Sequence, residues 1–284
     1  MQTVTIVGVG LIGGSFALGL RRCGFRGRLI GVDPGPSLST ALARGVVDES
    51  LPLEQAVPQS DLIYLAIPIG RILELLPTVA PLVRPTALVT DAGSTKGEIV
   101  MEADRLFTNG AVFLGGHPMA GKAERGVEAA EPNLFRGATY VLTPAEDSLP
   151  SAAPVEEFCR WLERLGARLL VMPAQAHDRI VAFTSHLPQM ASTALASVVL
   201  EQMSSPDSWK VAGSGLRDTT RLAASAYDLW RDICLTNTKN IDRALTAYIQ
   251  KLEHLRENLR QRALEEDFRR GAKFVAQFQE WLQF

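Results

Sequence analysis

The short apolar run Val4-Thr5-Ile6-Val7 leads straight into Gly8-Val9-Gly10-Leu11-Ile12-Gly13, and a helical pattern carrying Phe16, Leu18 and Leu20 leads out. Few folds need three glycines at this spacing between a strand and a helix. Gly8 permits a tight turn, Gly10 lets a ligand approach the backbone, and Gly13 lets helix and strand pack closely. Free N–H groups at the helix start, around Leu11 and Ile12, then face the phosphates of a dinucleotide. Ser15 either donates another hydrogen bond or simply sits in the first turns of the helix. The second strand, Leu29-Ile30-Gly31-Val32, ends at Asp33, 20 residues after Gly13. That is the offset of a carboxylate accepting from the adenosine ribose hydroxyls. A 2′-phosphate would be repelled there, and Pro34 and Gly35 bring it no cation, so NAD is favoured over NADP. Arg21 and Arg22 stay unplaced, and FAD or S-adenosylmethionine is the alternative ligand for such a turn.

Short β-rich runs and helical patterns alternate as far as about residue 172. Strands are expected at Val4–Val7, Leu29–Val32, Leu62–Ile67, Ala87–Thr90, Val112–Leu114, Tyr140–Leu142 and Arg168–Val171. Runs such as Leu62-Ile63-Tyr64-Leu65-Ala66-Ile67 suit strands buried on both faces of a parallel sheet. Helices are expected at Ile12–Cys23, Ser37–Arg44, Ile69–Val79, Lys96–Leu106 and Ala153–Leu165, with Gly24, Gly45 and Gly166 as left-handed stops. The alternation predicts an α/β, doubly wound Rossmann-type domain over residues 1–172.

Beyond Pro173 only long helical periodicities remain, at Ala174–Met203, across the Leu229–Gln261 region and at Asp267–Leu282. Residues 173–284 therefore read as an all-helical second domain. Ile241, Leu245, Tyr248, Ile249, Leu252 and Leu255 form one apolar stripe. Several such stripes in about 110 residues point to a homodimer joined through the helical domain.

Composition narrows the partners. The 29 basic and 31 acidic side chains give a formal charge of −2, which offers no case for nucleic acid or an anionic membrane surface. No uncharged apolar stretch reaches the roughly 18 residues of a membrane helix, and no basic residue precedes the apolar N-terminus as a signal peptide requires. Cys23, Cys159 and Cys234 are far apart and odd in number. They fit neither a disulfide framework nor a metal site, and the expected location is the cytoplasm.

Polar segments follow the expected strands where a doubly wound fold places its site. Asp91-Ala92-Gly93-Ser94-Thr95-Lys96-Gly97 follows one strand, and Gly115-Gly116-His117-Pro118-Met119-Ala120-Gly121 follows another. The helical half carries Ser185-His186-Leu187-Pro188 and Gly215-Leu216-Arg217-Asp218-Thr219-Thr220-Arg221. With GVGLIGGS at 8–15, GVEAA at 126–130, LFRGATYVLTP at 134–144, GLRDTTRLA at 215–223 and WRDICLTN at 230–237, these segments resemble, in order, the prephenate and arogenate dehydrogenases of tyrosine biosynthesis.

The resemblance implies oxidative decarboxylation of a cyclohexadienol, an NAD domain and a helical domain that forms the dimer. It implies that His117 is the base at the ring hydroxyl and that Ser94 bonds the same hydroxyl and the base. Ser94 is also placed to cap the helix that follows it. The resemblance further implies that His186 meets the substrate side chain and that Trp230 lies at the subunit junction near the site; a core histidine and a packed aromatic are the ordinary alternatives. Arg221 is the expected carboxylate clamp, since a guanidinium grips a carboxylate through two hydrogen bonds. Arg217, four residues earlier, is either a second cation or the partner of an acidic neighbour. His177 reads as an ordinary polar residue at a helix start, and His254 as part of a solvated helix face.

The chain departs from the family at Gln189, where many relatives carry histidine, and at Lys122 and Arg125, which are more basic than expected. A neutral Gln189 and added positive charge favour prephenate over arogenate, whose side chain ends in an ammonium. The rival readings are an arogenate dehydrogenase, a β-hydroxyacid dehydrogenase or imine reductase, and a redox-sensing NAD-binding protein without chemistry.

Overall fold

The computed structural model describes residues 1–282 apart from Ala123, Asp147, Ser204, Gln261 and Arg262. The chain forms two compact units, Met1–Thr238 and Lys239–Phe284.

In the first unit the elements run β1 (Thr3–Val7), α1 (Leu11–Arg22), β2 (Arg28–Val32), α2 (Ser37–Ala43), β3 (Glu49–Ser50), α3 (Leu53–Ala56), β4 (Leu62–Leu65) and α4 (Ile69–Val79). There follow β5 (Leu88–Asp91), α5 (Gly97–Leu106), β6 (Val112–Pro118), β7 (Thr139–Thr143), α6 (Ala153–Arg164) and β8 (Arg168–Val171). The sheet order is β3-β2-β1-β4-β5-β6-β7-β8. Its first six strands are parallel and in the doubly wound order, while β7 runs antiparallel to the far end of β6. β1, β4 and β5 are buried at every position, as strands covered on both faces must be. Under α1 the rings of Phe16 and Tyr64 stack at 4.1 Å, and the Tyr64 hydroxyl meets that of Tyr140 at 3.0 Å. Gly24, Gly45 and Gly166 take positive φ where the sequence expects helices to stop. The two-residue β3 was too short to announce itself by pattern.

Among the described residues this unit continues with the helices α7 (Ala174–Val181), α8 (Leu187–Gln202), α9 (Pro206–Lys210), α10 (Ser214–Thr220) and α11 (Tyr227–Thr236). The stretch expected as one helix from Ala174 to Met203 is broken by a π-helical turn at Ala182–His186. Pro188 explains the break, because its ring displaces the carbonyl one turn earlier and leaves it without an N–H donor. The Leu229–Gln261 region is likewise two helices, α11 and α12 (Thr238–Glu257), separated at Asn237; Gln261 itself lies outside the described residues.

The second unit carries most of α12 and α13 (Glu265–Leu282). Asp267 accepts from Lys251 at 2.7 Å and meets His254 Nε2 at 3.0 Å, tying the two helices. His254 is exposed, as a solvated face requires. Ile249 and Leu252 of the expected stripe remain exposed, with Phe268 and Phe274. Among the described residues no helix is long and apolar enough to cross a membrane.

Candidate active site

Gly8 follows β1 with φ +90°, and a side chain there would strike the carbonyl oxygen of Ala66, just beyond β4. A Cβ at Gly10, by contrast, would meet nothing within 4 Å. α1 starts at Leu11 without a side-chain cap, so the N–H groups of its first turn are left for another acceptor. Leu11 and Ile12 line a cavity of about 410 Å³. Asp33, one residue past β2, takes the N–H of Val9 at 3.1 Å and that of Gly35 at 2.8 Å. An open glycine, an uncapped helix start and a carboxylate at the end of β2 fit a dinucleotide lying across the strand ends. Ser15 is buried, and its Oγ accepts the N–H of Glu131 at 2.9 Å, so it holds a loop. Arg21 is engaged with the carbonyls of Phe25 and Gly27 and with Asp48; Arg22 is exposed.

The same cavity is lined by Ser94 and His117, the first three residues past β5 and the second near the end of β6. A buried ion pair sets the spacing of these two segments. Asp91 accepts the N–H of Gly93 at 2.8 Å and of Gly116 at 3.1 Å. Lys96 donates to the same carboxylate and, at 2.8 Å, to the carbonyl of Gly116. Both side chains are fully buried. Burial pushes the Lys96 ammonium down, and Asp91 opposes that shift.

His117 Nδ1 lies 2.8 Å from Nε2 of His177, and His177 Nδ1 lies 2.8 Å from Oδ1 of Asp178. The Asp178 carboxylate also accepts the N–H groups of Lys96 at 2.8 Å and Gly97 at 2.7 Å. It therefore caps α5, a task the sequence offered to Ser94. His177 does stand at a helix start, but it is buried and bonded to His117, which corrects the reading of it as an ordinary polar residue. Burial, followed by the charges of His177, Lys96 and His186, holds the His117 imidazole well below its ordinary range.

His186 is buried, and its Nδ1 accepts from the amide of Asn237 at 3.2 Å, an amide that also donates to the Asp178 carbonyl at 2.8 Å. Burial lowers its pKa to about 4. The Trp230 ring stands edge-on to it at 5.8 Å, and Trp230 Nε1 is buried without a hydrogen-bond partner among the described residues.

Neither His186 nor Trp230 is among the residues lining the cavity, and Gln189, Arg217 and Arg221 are absent from its lining as well. Gln189 is buried on α8, donating to the Leu222 carbonyl at 2.9 Å, while Ser192 Oγ accepts the N–H of Ala223 at 3.1 Å. These bonds pin the turn Arg221–Ala224, whose Arg221 is exposed. Arg217 is exposed, pairs with Asp218 at 3.3 Å, and lines a separate hollow with Trp209 and Thr220. Lys122 and Arg125 do line the main cavity. Lys122 is neutralised by Glu131 at 2.5 Å, whereas Arg125 has no ion-pair partner among the described residues.

Sequence reasoning missed Lys96, Asp91, His177, Asp178 and Asp232. Asp232, on α11, accepts the N–H of Gly70 at 2.9 Å at the start of α4 and lines the cavity. The adjacent His177-Asp178 pair, in a chain with four histidines, was the one available signal for a histidine–carboxylate contact.

The comparisons with known proteins bear on this geometry. Residues 16–171 match the family model of the prephenate dehydrogenase nucleotide-binding domain, and residues 173–279 match that of the prephenate dehydrogenase dimerization domain. The chain belongs to the prephenate dehydrogenase family. It is 35% identical to a prephenate dehydrogenase of Lactococcus lactis, covering 96% of this chain and 76% of that protein. To a Bacillus subtilis prephenate dehydrogenase it is 33% identical, covering 94% and 73%. The crystal structure of Aquifex aeolicus prephenate dehydrogenase in complex with hydroxyphenyl propionate and NAD+ superposes with a TM-score of 0.88 at 33% identity, over 99% of this chain and 98% of that one. Both family-model segments thus contain site residues: His117 and Ser94 in the first, His177, Asp178 and His186 in the second.

Proposed function

We propose that the chain oxidises prephenate to 4-hydroxyphenylpyruvate and carbon dioxide with NAD. The observation that carries this reading is one cavity that holds a dinucleotide-type helix start, at Leu11 and Ile12, together with Ser94 and His117.

Gly8, Gly10 and Gly13 with Leu11 and Ile12 would cradle the pyrophosphate, and Asp33 would hold the adenosine ribose. NAD, when bound, supplies the acceptor for the hydride that leaves C4 of the ring. His117 takes the C4 hydroxyl proton on Nε2 as the hydride departs, and Ser94 bonds that oxygen and holds the ring in line. The bond from C1 to its carboxylate then breaks, its electron pair aromatises the ring, and His117 returns the proton to the phenolic oxygen. Aromatisation drives the step, so one weak neutral base suffices. His186 and Trp230 would meet the side chain, the Trp230 N–H being a donor without a partner among the described residues. Arg221, assisted by Arg217, would hold a carboxylate, with Gln189 fixing the turn that presents Arg221.

Arg125 adds to the cavity a cation with no ion-pair partner among the described residues. It favours the pyruvyl carboxylate of prephenate over the ammonium-bearing side chain of arogenate. In the same reading residues 1–172 form the dinucleotide-binding domain, and residues 173–284 form the substrate and dimerisation domain of a homodimer. The dimerization-domain match and the exposed Ile249, Leu252, Phe268 and Phe274 support the dimer. The three free cysteines suit a cytoplasmic location.

Steady-state kinetics on both substrates tests the specificity. A higher kcat/KM for prephenate than for arogenate is expected, and the reverse order overturns the preference.

A further inference from the structure

We propose that His177, anchored by Asp178, is a positioning residue that fixes His117 as its Nδ1–H tautomer and so keeps the Nε2 lone pair on the cavity. The inference rests on reading His117 as the base, and it follows from counting donors and acceptors along one chain of contacts. The carboxylate of Asp178 already accepts the backbone N–H groups of Lys96 and Gly97, one on each oxygen. Facing donors on both oxygens, it acts toward His177 as an acceptor, so His177 Nδ1 carries the proton at that 2.8 Å contact. A neutral His177 then presents a bare Nε2 to His117 Nδ1, also at 2.8 Å. Nδ1 of His117 must donate there, which leaves Nε2 of His117 as the unprotonated nitrogen facing the cavity that the ring lines.

The anchor is rigid for a physical reason. Asp178 is held at the N-terminus of α5, where the helix dipole favours a negative charge, and Asn237 holds the carbonyl of the same residue. His177 and Asp178 are buried, so water does not compete for these bonds. When His117 gains a proton on Nε2, its Nδ1–H still donates to His177, and the new charge is opposed by Asp178 through the intervening ring. The opposite arrangement, a charged His177 donating to His117, would place the His117 proton on Nε2 and remove the base.

Ring nitrogen-15 NMR of the full-length protein at neutral pH reads the tautomer without any turnover. Wild type is expected to show His117 protonated at Nδ1 and bare at Nε2. His177→Leu is expected to lose that preference and to lower kcat about 10²-fold with little change in KM. His177→Gln, which can place an amide oxygen where Nε2 stood, should recover much of kcat and the Nδ1–H signal. Unchanged NAD affinity and thermal midpoint in both variants separate positioning from damage to the fold. A wild-type His117 protonated at Nε2, or a His177→Leu protein with wild-type kcat, overturns the proposal. The NMR result stands whether or not prephenate proves to be the substrate, so the two readings fail separately.

Discussion

Asp178 of α7 accepts the backbone N–H of Lys96 at 2.8 Å, so one buried carboxylate caps α5 and orients the histidine pair. A second acidic residue repeats the arrangement one strand away, where Asp232 of α11 takes the N–H of Gly70 at the start of α4. Helices beyond residue 173 are thereby fastened to the starts of helices that follow β4 and β5. The cavity lies at these junctions.

Replacing His117 with Asn removes the proposed base but leaves a polar side chain of similar reach. The expected result is a fall in kcat of about 10²–10⁴-fold with little change in KM, because proton removal belongs to the transition state. Initial-rate kinetics on prephenate checks it, and an unaltered kcat excludes His117.

The acid limb of kcat/KM should lie below the ordinary histidine range. Burial lowers the His117 pKa first, and the electrostatic effects of His177, Lys96 and His186 add to it. Asp91 and Asp178 are the facing carboxylates. Only the neutral ring accepts a proton, so activity holds as pH drops below 6.5 and falls when the depressed pKa is crossed. A limb at or above 6.5 in the free enzyme contradicts this.

His186 makes a separate prediction for stability. Its folded pKa of about 4 lies below the ordinary histidine value of 6.5, so between these values the unfolded chain binds the extra proton. Its contribution is intact above pH 6.5 and is lost as pH falls toward 4, amounting to about 3 kcal/mol at the acid end. Denaturant titrations of wild type and His186→Leu across that window should show the slope shrinking in the variant.

Lys96→Met leaves Asp91 charged, buried and without its cation. A loss of about 3–5 kcal/mol is expected, read as a lowered denaturant midpoint with unchanged m-value. A variant as stable as wild type would show that the Gly93 and Gly116 N–H groups satisfy Asp91 alone.

The strand–helix alternation and the cofactor turn were legible because they are written locally, in apolar runs, turn glycines and the Asp33 offset. Ser94 and His117 could be singled out because the first follows the end of β5 and the second stands near the end of β6. The relay was hidden for the opposite reason. His177 and Asp178 reach His117 and Lys96 across 60 and 82 residues, and no periodicity records such a contact. The break before α8 was written in Pro188, but its consequence, a π-helical turn in place of a straight helix, depends on packing around His186. Gln189 reads from sequence as a substrate contact, whereas in the fold its amide is spent on Leu222.

Arg221→Ala tests the carboxylate clamp proposed for the exposed turn after α10. Losing a charged pair of hydrogen bonds should raise KM for prephenate about 10–100-fold with a smaller change in kcat. An unchanged KM would transfer the role to another cation, with Arg125 the first to try.

The most direct measurement mixes the purified protein with prephenate and NAD and follows NADH and 4-hydroxyphenylpyruvate together. Equal amounts of both should appear, and the rate should collapse in His117→Asn. Absence of NADH with prephenate, or NADH formed without the aromatic product, would contradict the assignment.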